Sequence, residues 1–390
     1  MVKSKSKCLL HEMANPFATQ NTITMSSHSR IRANSFYSEY HGHKISHLNI
    51  LLPALRESTD ALIWTAGDSS LDNKYWFNDT APAVEGTVYQ TILDPPRMKM
   101  DVTYWLNRLL KDAEEERKNR PVSHNSCNNS GSRSRQPRLA AINAAVEATT
   151  LNERTFRLRP QDIFIRDNIR SEDILIVSVG GNDVALMPLP CTIASLGGIL
   201  CLPSFCLEQG FSYGACHLDD CCLGCGASLA SCACACPPCL GYVKHLFGTR
   251  VEKYIQALTA KTKPHKILVC MIYYPDEANS PSWSGPALGA LGYNSNPTKV
   301  QTLIRKGFHE ATSSIRIRGS QVIPVPLFHA LDGKNTSDYI QRVEPSPNGG
   351  RKLAELLINA IEQVNSTFIK DGNMPMMPAA PSTLLMKDRS

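Results

Sequence analysis

The sequence predicts an α/β fold, a three-layer sandwich around a five-stranded, mostly parallel sheet. Five apolar runs have strand length, at residues 61–66, 139–146, 174–179, 266–273 and 321–327. Each is followed, directly or after a loop, by apolar residues at helical spacing, and that alternation puts helices on both faces of a parallel sheet. Two runs deliver turn-forming polar residues, Gly67-Asp68-Ser69-Ser70 and Gly180-Gly181-Asn182-Asp183. They should meet at the carboxyl edge of the sheet, where open α/β folds keep their ligands.

Taken in order, the first 45 residues are rich in Ser, His, Asn and Thr, and their longest apolar run is Cys8-Leu9-Leu10. They read as a disordered tail without the apolar core of a secretion signal. Residues 46–369 read as one domain. After the first strand, Val102, Trp105, Leu106, Leu109 and Leu110 make a helical stripe, and the polar, low-complexity stretch 119–137 follows as a flexible loop. Val243 to Leu258 and Val300 to Ala311 carry further stripes. Leu353 to Val364 forms the last, entered through Ser346-Pro347, a helix start with Pro at the first helical position. Residues 370–390 read as a second disordered tail.

Charged residues are 19% of the chain, apolar ones 42%, and the net charge is +6. The basic excess lies partly in Lys3, Lys5, Lys7 and Arg117 to Arg138, polar tails and linkers, so no nucleic-acid partner is expected. Residues 184–207 carry no charge, yet Pro188, Pro190, Pro203 and Gly197-Gly198 interrupt them, leaving too short a clean stretch for a spanning helix. A cytoplasmic location with mostly reduced thiols is expected.

With Gly67-Asp68-Ser69 after the first run and Gly180-Gly181-Asn182-Asp183 after the third, the chain resembles the SGNH (GDSL-type) hydrolase superfamily over roughly residues 60 to 365. The resemblance implies a flavodoxin-like fold and a serine, here Ser69, that attacks an ester or acyl carbonyl. It also implies an oxyanion hole made by the serine N–H, an N–H of the turn after the second strand, and the Asn182 amide. Such donors are each worth about 3 kcal/mol of transition-state stabilisation. In that second turn Ala148 stands where glycine is usual, and its N–H can donate if the turn needs no positive φ.

The last block departs further. Where the family has Asp-x-x-His before the final helix, this chain has Gln341-Arg342-Val343-Glu344, and none of its 11 histidines has an Asp three residues before it. Two residues can replace the base. Glu344 is the first choice if burial raises its pKa, its alternative role being a charge at a helix N-terminus. His329 follows the fifth strand and is the second choice, its alternative role being a surface histidine. A carboxylate base implies activity down to mildly acidic pH, an imidazole one a loss below about pH 6.5.

Between Asn182 and Tyr242 lies an insertion, residues 186–240, holding 11 of the 14 cysteines. Cys222, Cys225, Cys236 and Cys239 form two Cys-x-x-Cys pairs, as a structural zinc site would. Buried thiols, or acylated ones giving peripheral membrane contact, are the alternatives. The expected function is a serine esterase acting on a small-molecule ester or lipid without a catalytic cofactor. The rival is a degenerate hydrolase fold that binds an acylated ligand or partner without turnover.

Overall fold

The computed structural model describes residues 29–119, 136–212, 230–232, 235–237 and 239–367. Five strands, β1 (Ala61–Gly67), β2 (Leu139–Asn143), β3 (Ile174–Ser178), β4 (Lys266–Met271) and β5 (Gln321–Pro326), form one all-parallel sheet in the order β5-β4-β3-β1-β2. All five predicted runs are strands. Read from the other edge, the order is 2-1-3-4-5, so the chain reverses its winding between β1 and β3 and opens a crevice there.

Eight helices matter below: α1 (Ile45–Ser58), α2 (Val102–Asn119), α3 (Pro160–Asn168), α4 (Gly181–Ala185), α5 (Pro190–Leu200), α6 (Val251–Leu258), α7 (Pro297–Glu310) and α8 (Pro347–Thr367). Side chains alternate across β1. Ile63 turns to the face covered by Val102 and Leu106 of α2 and Leu353 and Leu357 of α8. Leu62 and Trp64 turn to the face covered by α1, α3, α6 and α7. With both faces covered, the strands read as unbroken apolar runs. Helix starts are fixed locally: Asp101 accepts the Tyr104 N–H at 2.8 Å before α2, and Ser346 Oγ accepts the Gly349 N–H at 3.2 Å at the start of α8.

The expected N-terminal disorder does not extend to residue 45. Ile31 and Phe36 are 2% exposed, and the His43 ring stacks on Phe36 at 3.9 Å, so residues 31–45 belong to the folded body. The polar composition around them hid the few apolar residues that anchor them. Residues 120–135 of the expected flexible loop and the tail beyond Thr367 lie outside the described residues. Among the described residues no helix is long and apolar enough to cross a membrane.

In the insertion, α5 is followed by a short helix, Ser204–Glu208, and by an antiparallel pairing of Phe211–Ser212 with Ala235–Cys236. Cys191 is in a disulfide, against the expectation of reduced thiols. Cys222 and Cys225 lie outside the described residues. Cys239 interacts with Cys232, four positions before the expected partner Cys236, which is exposed. The left-handed backbone of Cys239, with φ 74°, forms the turn into the following helix.

Candidate active site

The Ser69 turn begins with a glycine that nothing else can replace. Gly67 ends β1 with φ 124°, and a Cβ there would fall 1.7 Å from the Ser178 carbonyl oxygen. Only glycine lets β1 approach β3 so closely. The chain then folds back on Asp68, whose carbonyl accepts the N–H groups of Leu71 and Asp72, both at 3.1 Å, and whose carboxylate accepts the Ser70 N–H at 3.1 Å. Ser69, 7% exposed, projects from this turn.

Asn182 sits at the matching place after β3. Gly180, with φ 110°, caps α4, and Asn182 Nδ2 donates to the Thr149 carbonyl at 3.0 Å. That bond ties the amide to the turn after β2. In that turn Ala148 has φ 55°, the left-handed region that glycine adopts without strain, so the chain uses alanine where its backbone favours glycine. No described residue engages the backbone N–H of Ser69 or Ala148. Arg154, 6% exposed, braces the two turns, donating to Gly67 O at 2.9 Å, Thr149 Oγ1 at 2.8 Å and Asp162 at 3.0 Å.

The last block folds as a small hairpin, Tyr339–Ile340 against Glu344–Pro345, with Gln341 and Arg342 at positive φ at its tip. Asn73 Nδ2 donates to the Pro345 carbonyl at 2.7 Å, which fastens this hairpin to the Ser69 turn. Glu344, 3% exposed, thereby lines the cleft together with Ser69. Burial first, and the charges of Asp68 and Asp72 after it, push the Glu344 carboxyl up to about 8, while the Ser69 hydroxyl favours its ionised form. Its Oε2 has no hydrogen-bond partner among the described residues. Gln341 Oε1 accepts the Trp283 backbone N–H at 3.0 Å and holds a loop of the cleft wall.

The structure does not bring His329 to this place. After β5 a single tight turn, Leu327–His329, buries Leu327 and Phe328 and leaves His329 exposed, its ring edge-on to Phe328 at 4.9 Å. A cleft of about 120 Å³ opens at the β1/β3 switch, lined by Asp68, Ser69, Asn182 and Glu344 at one end. Neither His329 nor Ala148 lines it.

Sequence reasoning missed the second layer. Asp72 and Lys74, both fully buried, pair at 2.7 Å, and Asp72 also accepts Asn143 Nδ2 at 2.9 Å and the Glu147 N–H at 3.2 Å. Glu147 is 1% exposed, and neither of its carboxylate oxygens has a partner among the described residues. Burial, then Asp72 and Glu344, push it up to about 9. A charged residue directly after the apolar run 139–146 was its only sequence signal.

Among the described residues no group of three or more His, Cys, Asp or Glu is arranged to hold a metal ion. No family model and no curated relative matches the sequence. Solved structures similar to this chain include a variant of an acetyl xylan esterase from Geobacillus stearothermophilus, at 12% identity over 78% of this chain and 95% of that one, with a TM-score of 0.38. A lipase from a goat rumen metagenome follows at 13%, 77% and 97%, with a TM-score of 0.36. A carbohydrate esterase family 3 protein from Talaromyces cellulolyticus is similar at 12%, 79% and 99%, with a TM-score of 0.32. At this degree of likeness none of them bears on the chemistry, which rests on the geometry above.

Proposed function

We propose that the chain is a serine esterase-type hydrolase of the SGNH kind, acting on an ester or acyl group without a catalytic cofactor. Ser69 Oγ attacks the carbonyl carbon as its proton passes to Glu344. The oxyanion is held by the Asn182 amide and the Ser69 N–H; the Ala148 N–H drops out of this reading, because its turn takes a positive φ and Ala148 does not line the cleft. Glu344 then returns the proton to the departing alkoxide, and water, deprotonated the same way, releases the acid from Ser69. The observation that carries the reading is the meeting of Ser69 and Glu344, distant in sequence, in one buried spot at the β1/β3 switch. Burial supplies what the missing imidazole would have supplied, a base with a pKa near working pH.

The rival reading, a fold that binds an acylated ligand without turnover, is favoured by one feature: a carboxyl held at about 8 is mostly protonated at neutral pH. A fluorophosphonate that phosphonylates activated serines separates the two. Labelling of wild type at pH 8.5, absent in Ser69→Ala, supports the hydrolase. Wild type that neither labels nor cleaves an activated ester at that pH is the binding protein.

The insertion keeps two proposals of its own. A structural zinc on Cys222, Cys225, Cys236 and Cys239 is tested by the metal content of purified protein. Peripheral membrane contact is supported by Leu186, Met187, Ile193 and Phe205, all exposed on this uncharged segment.

A further inference from the structure

The cleft that begins at Ser69 changes character within one side chain's length. Its charged lining residues, Asp68 and Glu344, are both acidic and both lie at the Ser69 end. Its body runs between α5, α7 and the helix Gly285–Ala290, walled by Leu196, Leu200, Phe247, Leu288, Leu303 and Ile304. Among the described residues no lysine or arginine lines it.

Both lining tyrosine hydroxyls are already used. Tyr242 bonds Thr192 Oγ1 at 2.5 Å, and Tyr273 donates to the Val343 carbonyl at 2.6 Å. Besides Glu344 Oε2 at the Ser69 end, the Trp283 indole N–H is the one buried side-chain polar group of the wall without a partner among the described residues. A sugar ring or an anionic group entering this space would lose its hydration and find almost nothing to replace it. A hydrocarbon chain loses nothing.

Resting on the hydrolase reading, we infer that the cleft takes the acyl side of the substrate, and that this acyl group is a hydrocarbon chain of about six carbons rather than acetyl. The size follows from volume: an apolar cavity of about 150 Å³ holds one benzene, six carbons, and the cleft offers about 120 Å³. With the carbonyl carbon at Ser69 and its oxygen toward Asn182, the chain's only free direction is into the apolar body. The leaving group stays at the open, polar end.

A chain-length series of p-nitrophenyl esters from acetate to decanoate tests this. The expected kcat/KM rises about threefold per methylene, on the order of 100-fold from acetate to hexanoate, and then levels off. Leu303→Trp fills the body and removes that preference while acetate cleavage persists. Leu291→Trp, at a half-buried lining position, gives the same result if Leu303→Trp fails to fold. A flat profile with Ser69-dependent acetate cleavage overturns the acyl assignment and leaves the hydrolase reading intact. If no ester is cleaved, the hydrolase reading falls, and the cleft is judged on Ser69→Ala by displacement of a bound fluorescent apolar probe. Hexanoate is expected to displace the probe at least about 30-fold more effectively than acetate; equal displacement overturns the inference.

Discussion

Two acidic side chains flank the Ser69 turn with nearly equal burial and opposite surroundings. Asp72, fully buried, has the Lys74 ammonium at 2.7 Å from both its oxygens, together with Asn143 Nδ2 and the Glu147 N–H. Glu344, 3% exposed, has no cation, and Oε2 has no partner among the described residues. The first arrangement satisfies its charge locally. The second raises the basicity of a carboxylate beside the Ser69 hydroxyl, so that once ionised it is a better proton acceptor than a solvated carboxylate. A buried carboxyl without a counter-charge beside a serine hydroxyl therefore marks a candidate site more clearly than one that is satisfied.

Replacing each in turn should break the comparison in opposite ways. Glu344→Gln keeps the shape and removes the base, and activity on an activated ester should fall about 10³- to 10⁴-fold with no loss of stability at pH 8.5. Activity within tenfold of wild type would mean that another group takes the serine proton. Asp72→Asn leaves Lys74 buried without its counter-charge and should destabilise the fold by about 3–5 kcal/mol, read by urea denaturation. Its remaining folded protein should still cleave esters. Loss of turnover without loss of stability in that variant would place Asp72 in the chemistry instead.

The pH profile expected of the proposed hydrolysis sharpens the same contrast. The expectation that a carboxylate base stays active in mild acid does not survive the burial of Glu344. With its pKa raised to about 8, kcat/KM should fall tenfold for each pH unit below that value. A plateau from pH 5 to 8 would show that Glu344 is ionised throughout, or is not the base.

How much of this was legible in the sequence follows the range of the interactions involved. The five strands and the positions of Ser69 and Asn182 came from local signals, apolar runs closed by turn residues, and the sheet kept them. Glu344 was legible as the residue in the wrong place of a known block. Its burial was not, because Asn73, 271 positions away, fastens its hairpin through the neighbouring Pro345. His329 failed for the converse reason: its neighbours Leu327 and Phe328 claimed the interior, and one tight turn sent the histidine outward. The Asp72–Lys74 pair and Glu147 were invisible because nothing in a sequence tells whether a charged residue at a strand end faces water or its own kind.

Glu147 offers the smallest and most discriminating effect. It is the other unpaired carboxyl, pushed to about 9 by burial and then by Asp72 and Glu344, so near pH 8 it remains protonated while Glu344 ionises. The two titrate as a pair, each proton affecting the other. Glu147→Gln keeps the group neutral, so turnover at pH 7.5 should change by less than about threefold, the size of half a pKa unit. Stability responds differently. A carboxyl whose folded pKa lies above its unfolded value contributes stability that is full below about pH 4.5 and is lost as pH rises through the folded pKa, at most about 1.4 kcal/mol per pH unit for each such group. Wild type should therefore weaken between pH 5 and 8.5 more steeply than Glu147→Gln, with the two converging in acid. Parallel curves from urea denaturation across that range would mean that Glu147 is solvated and charged in the folded protein, and the contrast between paired and unpaired carboxyls at this site would no longer hold.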